Sequence, residues 1–374
     1  MLALTHPLEM QRPPIVHFGT GVLPKLGEWV SNRGFMRPFV IADVVNAARL
    51  SVLGLANAAC FGAVKPEPDV ANLMEAVAAA EAVDADVIIG FGGGSAMDLA
   101  KLVAVLAGSG KRLHDISGPH RAPSRIVGLA QIPTTAGTGS EVGTRALITD
   151  PETRNKIATE SLHMLADIAI IDPELTATVP PFITAATGVD ALAHCVEAFT
   201  SRRSHPLIDD YALRGIELVG ANLKRAVENG EDMEARSALS LASFYGGICL
   251  GPVNTTAGHA IAYPLGTRHQ IAHGIANALI FPHVLAVNAP ARMEKTALIA
   301  NALGFAGSTA EEIRRGALAF CESLGLDMRL RAHGVPKEDL SAMAREAHAI
   351  RRLLDWNPVD LSENDILHIY ETAW

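Results

Sequence analysis

The first half of the chain alternates short apolar runs with longer segments of helical periodicity. Four of the runs, PFVIAD (38–43), ADVIIGFGGG (85–94), RIVGLAQIPTT (125–135) and DIAIIDPEL (167–175), are apolar throughout instead of alternating with polar residues. Uninterrupted apolar runs are typical of strands that are covered on both faces of a parallel sheet. The pattern predicts an α/β domain, and the Ala-rich segment 74–85 is expected to be one of its helices.

The pattern changes after Pro180 and Pro181. Long helical segments follow, among them ITAATGVDALAHCVEAFTS (183–201) and HPLIDDYALRGIELVGANLKRAVENG (205–230), and no segment has the pattern of a strand. The sequence therefore predicts an α/β domain over residues 1–180 and an all-helical domain over 181–374. The crevice between two domains is the default place for a small ligand.

Composition narrows the classes of function. The 374 residues are 49% apolar with a net charge of −9, and the few Lys and Arg are dispersed, so a nucleic-acid partner is not expected. The N-terminal residues MLALTHPLEMQRPP lack a basic region followed by an apolar stretch, and charges, Gly or Pro interrupt the other apolar runs. We expect a soluble, cytoplasmic protein without a membrane span.

The four cysteines form no CxxC pair, which argues against a disulfide framework and against a thiolate zinc site. We expect them to be small buried apolar residues: Cys60, Cys195, Cys249 and Cys321.

Two loops of the α/β half have the composition of phosphate-binding loops. In VIIGFGGGSAMDLAKLVAVLA an apolar strand leads into glycines, a serine and an amphipathic helix, so backbone N–H groups can face a phosphate that approaches without meeting Cβ atoms. The second loop, PTTAGTGSE (133–141), offers hydroxyls for phosphate or ribose. The alternatives are a Gly-rich turn that only packs a helix on the sheet and a solvated turn. The residues concerned are Gly90, Gly92, Gly93, Gly94, Ser95, Thr134, Thr135, Thr138 and Ser140.

Asp43 ends the apolar run 38–43. An acid at the end of such a strand commonly accepts hydrogen bonds from the adenosine ribose and repels a 2′-phosphate, which favours NAD over NADP. The alternative is that Asp43 caps the helix that follows.

Candidate metal ligands lie in the helical half. Asp190 and His194 are four residues apart in a helical pattern, so their side chains can converge on one ion, although such a pair is more often a capped or salt-bridged helix face. The segment 258–284 adds four histidines among small apolar residues, and a hydrogen-bonded core histidine is the default for any one of them. These are His259, His269, His273 and His283. Three imidazoles and one carboxylate suit Fe²⁺ or Zn²⁺ and leave a position for a substrate.

Motifs along nearly the whole chain resemble those of the iron-containing (group III) alcohol dehydrogenase family. They are FGTG (18–21), GGGSAMDLAK (92–101), IPTTAGTGSE (132–141), GVDALAHCVE (188–197), GIANALIFPHV (274–284) and NPVDLSENDILHIYETAW (357–374). The resemblance implies an N-terminal Rossmann-like parallel-sheet domain and a C-terminal helical domain, as in dehydroquinate synthase. It also implies NAD(P)-dependent alcohol dehydrogenase or aldehyde reductase activity, with a divalent metal that polarises the substrate oxygen during hydride transfer.

The resemblance assigns the site residues. The metal ligands would be Asp190, His194, His259 and His273. The pyrophosphate would lie on Gly92, Gly93, Gly94 and Ser95, and the ribose or nicotinamide side of the cofactor would contact Asp98, Thr134, Thr135, Thr138 and Lys156. Many members carry a further histidine where this chain has Tyr263. The proton relay could therefore pass through Tyr263, His269 or water, because a phenol can also donate and accept a proton.

The substrate is expected to be a small alcohol or aldehyde. Arg145 and Arg268 could bind an anionic one, as in an anionic semialdehyde reductase, although such arginines are more often surface or subunit contacts. A maleylacetate reductase-like enzyme is also conceivable, but that branch generally lacks the carboxylate at Asp190. The same scaffold could instead serve a dehydroquinate synthase-like lyase, and the histidines alone would suffice for a metal-binding protein with no redox role. The resemblance also suggests a homo-oligomer, a dimer or larger.

Overall fold

The structure is a computed structural model that describes residues 4–151 and 155–374, and it forms two compact units. One unit comprises residues 11–135 and 139–177. The other comprises residues 178–374 together with 136–138 and the described residues up to Met10. Neither unit is therefore continuous in sequence, and the loop 133–141 contributes to both.

The α/β unit contains nine strands among the residues described. They are β1 (Ile15–Phe18), β2 (Pro38–Ala42), β3 (Ala59–Phe61), β4 (Val87–Gly92), β5 (Gly118–Pro119), β6 (Gly128–Pro133), β7 (Arg145–Asp150), β8 (Asn155–Glu160) and β9 (Ile168–Ile171). Six form a parallel sheet in the order β1-β9-β6-β4-β2-β3. Every residue of β2, β4, β6 and β9 is buried, which confirms the interpretation of the four apolar runs.

A second, three-stranded sheet, β5-β8-β7, was not predicted from the sequence. The first four residues of β7 alternate between half-buried and buried, so no uninterrupted apolar run marks it. The edge strands β1 and β3 were also missed, because they have only four and three residues and none of these is buried.

The helices of this unit are α1 (Lys25–Arg33), α2 (Val44–Ala47), α3 (Val70–Ala82), α4 (Gly94–Leu106) and α5 (Leu113–Ile116). The expectation that α4 is amphipathic was wrong, since ten of its thirteen residues are buried. It packs on β4 and β6 of the main sheet and also on β7 of the second sheet, so no broad face of α4 is left for solvent.

All regular secondary structure in the described part of the second unit is helical. Its helices are α6 (Pro181–Thr200), α7 (Pro206–Glu228), α8 (Met233–Leu250), α9 (Ala257–His269), α10 (His273–Asn288), α11 (Met293–Ala302), α12 (Ala310–Glu322), α13 (Leu340–His348), α14 (Arg351–Leu354) and α15 (Glu363–Ala373). Helix α6 packs against α7, α8 and α10 at the centre of one continuous apolar core.

Two segments of this unit, 181–200 and 273–291, are long and apolar enough to cross a membrane by length and composition. Their apolar length was not expected from the sequence pattern. Most of each segment is buried inside the unit (83% and 78%), and both carry polar ligand residues. They are therefore core helices of a kind found in soluble proteins.

Candidate metal centre and cofactor loops

Three helices bring the four predicted ligands together. Asp190 and His194 are one turn apart on α6, His259 lies on α9, and His273 is the first residue of α10. One donor atom from each lies within 4.8 Å of every other. Asp190, His194 and His259 are buried and His273 is half-buried, so the cluster is closed on the protein side and accessible at His273.

The spacing of the donor atoms fits a single ion. Asp190 Oδ1 lies 3.6 Å from Nε2 of His259 and 3.6 Å from Nε2 of His273. Donor atoms about 2.1 Å from a tetrahedral ion are separated by roughly 3.4 Å, which is close to these distances. His194 Nε2 and His259 Nε2 are closer, at 2.9 Å. The residues present therefore fit a divalent metal of the zinc or iron type.

Partners outside the cluster hold the imidazoles with Nε2 facing inward. His259 Nδ1 contacts Glu197 Oε1 at 2.5 Å, and His194 Nδ1 contacts the backbone oxygen of Gly137 at 3.3 Å. A proton on each Nδ1 leaves the Nε2 lone pair free for a metal. Glu197 also accepts from Thr256 Oγ1 at 3.1 Å and from Thr256 N, so it is fixed in place.

Glu197 was not predicted as a site residue. It lies seven residues after Asp190 on α6, on the same face as both α6 ligands, and this spacing was the signal available in the sequence.

Asn277 was also missed. Its Nδ2 lies 2.5 Å from Asp190 Oδ1 and 3.1 Å from Nε2 of both His259 and His273. It follows His273 by four residues on α10, so it faces the cluster from one turn along the helix. Its side chain therefore belongs to the immediate surroundings of the donor atoms.

Charges in the cluster favour a bound cation. Burial opposes ionisation of Asp190, but the adjacent histidines hold the pKa of its carboxyl well below the usual range. Burial lowers the pKa of His194 to about 4, so that ring is neutral. Burial also opposes protonation of His259, but Glu197 and Asp190 raise its pKa to about 10. Two buried carboxylates thus draw positive charge to the cluster.

The two candidates for the proton relay lie in different surroundings. The half-buried Tyr263 ring has its centroid 6.2 Å from that of His273, next to the cluster. His269, at the end of α9, has its Nε2 3.3 Å from Asp339 Oδ2. Tyr263 therefore lies beside a predicted ligand, and a role in the proton relay stays a prediction for both residues.

The residues Gly92, Gly93, Gly94 and Ser95, here called the glycine loop, are closely packed. Gly93 is the N-cap of α4, and Gly94 and Ser95 begin the helix. A Cβ added to Gly92 would lie 2.8 Å from Ala96 Cβ, and one added to Gly93 would lie 3.3 Å from Thr135 Oγ1. The loop leaves no room for side chains, and it presents the N-terminus of a helix, as a pyrophosphate site requires.

Asp43 and Thr134 lie beside this loop. Asp43 Oδ1 accepts from Val45 N and Asn46 N and so caps α2, which is the alternative considered for this residue. Asn46 Nδ2 donates to Asp43 Oδ2 at 2.6 Å and lies 3.3 Å from Thr134 Oγ1. Observation of the cap does not test the ribose contact, which stays a prediction.

Three more of the predicted cofactor residues have surroundings that the structure defines. Asp98 accepts from Ser140 Oγ at 2.6 Å and from Leu147 N at 2.9 Å, and thereby anchors the loop 133–141 to α4. Lys156 pairs with Glu67 and donates to Thr149 Oγ1 at 2.9 Å. Thr138 lies in the segment 136–138 that groups with the helical unit. Roles of these three in cofactor binding remain predictions.

Both arginines considered for an anionic substrate are paired with carboxylates. Arg145 Nη2 lies 2.8 Å from Glu160 Oε2, and Arg268 Nε lies 3.0 Å from Glu346 Oε2. Both guanidiniums are therefore occupied by ion pairs.

The fold and the site define the general class of this protein: it has a parallel-sheet unit with a glycine loop and a helical unit in which a carboxylate and three imidazoles form a candidate metal centre. Comparison with known proteins gives the family. Residues 13–173 match the family model "Iron-containing alcohol dehydrogenase", and residues 184–374 match "Fe-containing alcohol dehydrogenase family, C-terminal". The chain belongs to the iron-containing alcohol dehydrogenase family, whose members are oxidoreductases that act on CH–OH groups.

Individual relatives match this chain over nearly its full length. The chain is 36% identical to long-chain-alcohol dehydrogenase 1 of Geobacillus thermodenitrificans, over 97% of this chain and 95% of that protein. Its fold is similar to that of an alcohol dehydrogenase from Oenococcus oeni (TM-score 0.92, 29% identity, 98% and 100% of the two chains). It is also similar to sulfoacetaldehyde reductase from Bifidobacterium kashiwanohense in complex with NAD⁺ (TM-score 0.88, 26% identity, 98% and 99%). The predicted family, fold class and enzyme class are confirmed.

Proposed function

We propose that this chain is an NAD-dependent alcohol dehydrogenase or aldehyde reductase that holds one Fe²⁺ or Zn²⁺ ion with Asp190, His194, His259 and His273. The observation that carries the proposal is the convergence of these four donor atoms within 4.8 Å in a chain of this family. When bound, the metal would polarise the substrate oxygen and the nicotinamide would exchange a hydride with the adjacent carbon.

The side chains have separate tasks in this proposal. Glu197 and the Gly137 carbonyl keep two imidazoles in the tautomer that exposes Nε2. The Tyr263 hydroxyl would carry a proton towards or away from the substrate oxygen, since its ring lies beside His273. The glycine loop would bind the pyrophosphate, and hydride transfer requires that the nicotinamide then reach the metal ligands.

Several finer points belong to the proposal. NAD is preferred to NADP because Asp43 lies beside the glycine loop, where its charge would repel a 2′-phosphate. Zinc binds such donors more tightly than ferrous iron, so the ion present would depend on supply as well as on affinity. Cys195, Cys249 and Cys321 are buried and free as expected, whereas Cys60 is only half-buried because it lies on the edge strand β3. Free cysteines suit a cytoplasmic protein, and the family resemblance supports a homo-oligomer.

The substrate would be a small alcohol or aldehyde. A lyase, a non-redox metal protein and a maleylacetate reductase-like enzyme are not favoured, because the relatives are alcohol dehydrogenases and aldehyde reductases and Asp190 lies in the cluster. The similar sulfoacetaldehyde reductase is named for an anionic aldehyde, so this scaffold accepts such substrates in another protein.

The test combines metal analysis with turnover. Asp190→Ala and His273→Ala should fold, lose bound metal and lose at least 100-fold in kcat/KM for NADH-dependent aldehyde reduction, as expected when electrostatic stabilisation of the developing oxyanion is removed. Asp360→Ala is the matched control, because that aspartate is exposed and pairs with Arg202. Wild-type turnover by either folded, metal-free ligand variant would refute the metal mechanism.

A further inference from the structure

One arginine lies close to the cluster of four predicted metal ligands and faces solvent. Arg352, on the short helix α14, is exposed, and its Cζ lies 5.8 Å from the centre of the Tyr263 ring, over its face. The Tyr263 ring centre lies 6.2 Å from that of His273. The two separations together place the guanidinium at most about 12 Å from the His273 ring.

Arg352 differs from its neighbours in having no carboxylate partner. Within residues 4–151 and 155–374 no ion pair or hydrogen bond to its guanidinium is found, whereas Arg351 pairs with Asp355 and Arg268 pairs with Glu346. A guanidinium over an aromatic face is attracted to the ring as a cation, and this contact provides no hydrogen-bond acceptor of the carboxylate kind. The N–H donors lie in its plane, so they remain able to bind a planar anion through two hydrogen bonds.

We propose that Arg352 binds an acidic group at the far end of the substrate, so that the preferred substrates are short aldehydes or alcohols that carry a carboxylate. This inference rests on the proposed function. In the reduction the carbonyl carbon gains a hydride from NADH and its oxygen gains a proton, which gives the alcohol and NAD⁺, while the carboxylate is unchanged. Each carbon–carbon bond is about 1.5 Å long, so an extended substrate of four or five carbons can reach from an oxygen at the cluster towards the Arg352 guanidinium.

The position of Tyr263 supports this geometry. Its ring contacts the Arg352 guanidinium and also lies beside the predicted metal ligand His273. It can therefore form the wall along which such a substrate lies, with the acidic end at Arg352. The two arginines singled out from the sequence are already paired with Glu160 and Glu346, so they do not offer this chemistry.

The experiment compares a charged substrate with a neutral one of nearly the same length. The metal-loaded, NADH-dependent enzyme is assayed with 4-oxobutanoate and with its methyl ester. Arg352→Gln should lower kcat/KM for 4-oxobutanoate by roughly 10- to 100-fold, mainly through KM, because a charge-assisted contact made equally in ground and transition states is lost. In the same variant kcat/KM for the ester should change by less than about twofold.

Arg351→Gln is the matched control, because Arg351 is the adjacent exposed arginine and is paired with Asp355. In this control kcat/KM for both substrates should stay within about twofold of the wild-type values. Succinate gives a readout that does not require turnover of an anion. It should inhibit reduction of the ester competitively in the wild type, with an inhibition constant that rises in Arg352→Gln by a factor similar to that for 4-oxobutanoate.

Two results would overturn the inference. Equal losses of kcat/KM with both substrates would show that Arg352 supports packing of Tyr263, and no loss with either substrate would show that it does not contact the substrate. In both cases ester reduction would continue to support the proposed function. If the metal-loaded wild type oxidised NADH with neither aldehyde nor with a wider panel of aldehydes, the proposed function itself would fail.

Discussion

Replacing Glu197 by glutamine tests how the protein sets the metal affinity of His259. The carboxylate contacts His259 Nδ1 through Oε1 and receives hydrogen bonds from Thr256 through Oε2. A carboxamide of the same shape has only one oxygen. One of these contacts must then face an NH₂ group, and the negative charge that attracts a proton to Nδ1 is lost.

The expected change in metal affinity follows from these contacts. Loss of one hydrogen bond to a charged group is worth about 1.5–3 kcal/mol. A tenfold change in a dissociation constant corresponds to about 1.4 kcal/mol, so the metal should bind roughly 10- to 100-fold more weakly. A shift of the His259 proton from Nδ1 to Nε2 would block the donor atom and lead in the same direction.

The assay is competition with a chelator for Zn²⁺, supported by metal analysis after dialysis. Circular dichroism shows whether the variant is folded. Glu217→Gln is the control, since Glu217 is exposed on α7 and pairs only with Arg214 in the contacts observed. A folded Glu197→Gln protein that holds zinc within about twofold of the wild-type affinity would refute the view that this carboxylate tunes the ligand.

Two further predictions concern stability. Burial raises the pKa of Glu141 from 4.5 to about 7. Between these pH values the folded state binds a proton that the unfolded state has released, so the free energy of unfolding falls as pH rises through this window. Glu141→Gln should therefore raise the free energy of unfolding, measured in urea, more at pH 8 than at pH 5, by an amount of the order of 1–3 kcal/mol, and equal changes at both pH values would contradict this. In urea unfolding, Gly220→Ala should destabilise by roughly 1–3 kcal/mol, because its Cβ would lie 2.0 Å from the backbone oxygen of Ala302. In Gly27→Ala, on α1, the new Cβ meets no atom within 4 Å, so this variant should be stabilised by roughly 0.4–1 kcal/mol. A Gly220→Ala protein more stable than Gly27→Ala would refute this reasoning.

Burial was the property most readily predicted from the sequence. Strands β2, β4, β6 and β9 were found because a strand covered on both faces must be apolar at every position, and this leaves a local signal. Asp190 and His194 could be paired because helical periodicity alone places residues four apart on one face. The resemblance to family motifs added His259 and His273, which lie on other helices, to the predicted metal ligands.

Tertiary structure alone decided the surroundings of the site. Packing of α9 and α10 against α6 places Asn277 among the donor atoms and Glu197 behind His259, contacts that join residues 87 and 62 positions apart. Lys156 and Glu67 meet across 89 positions in the same way. Short-range patterns record only whether a position is buried and which face of its own element it occupies. They do not record which distant side chain lies opposite, because that depends on how the elements pack.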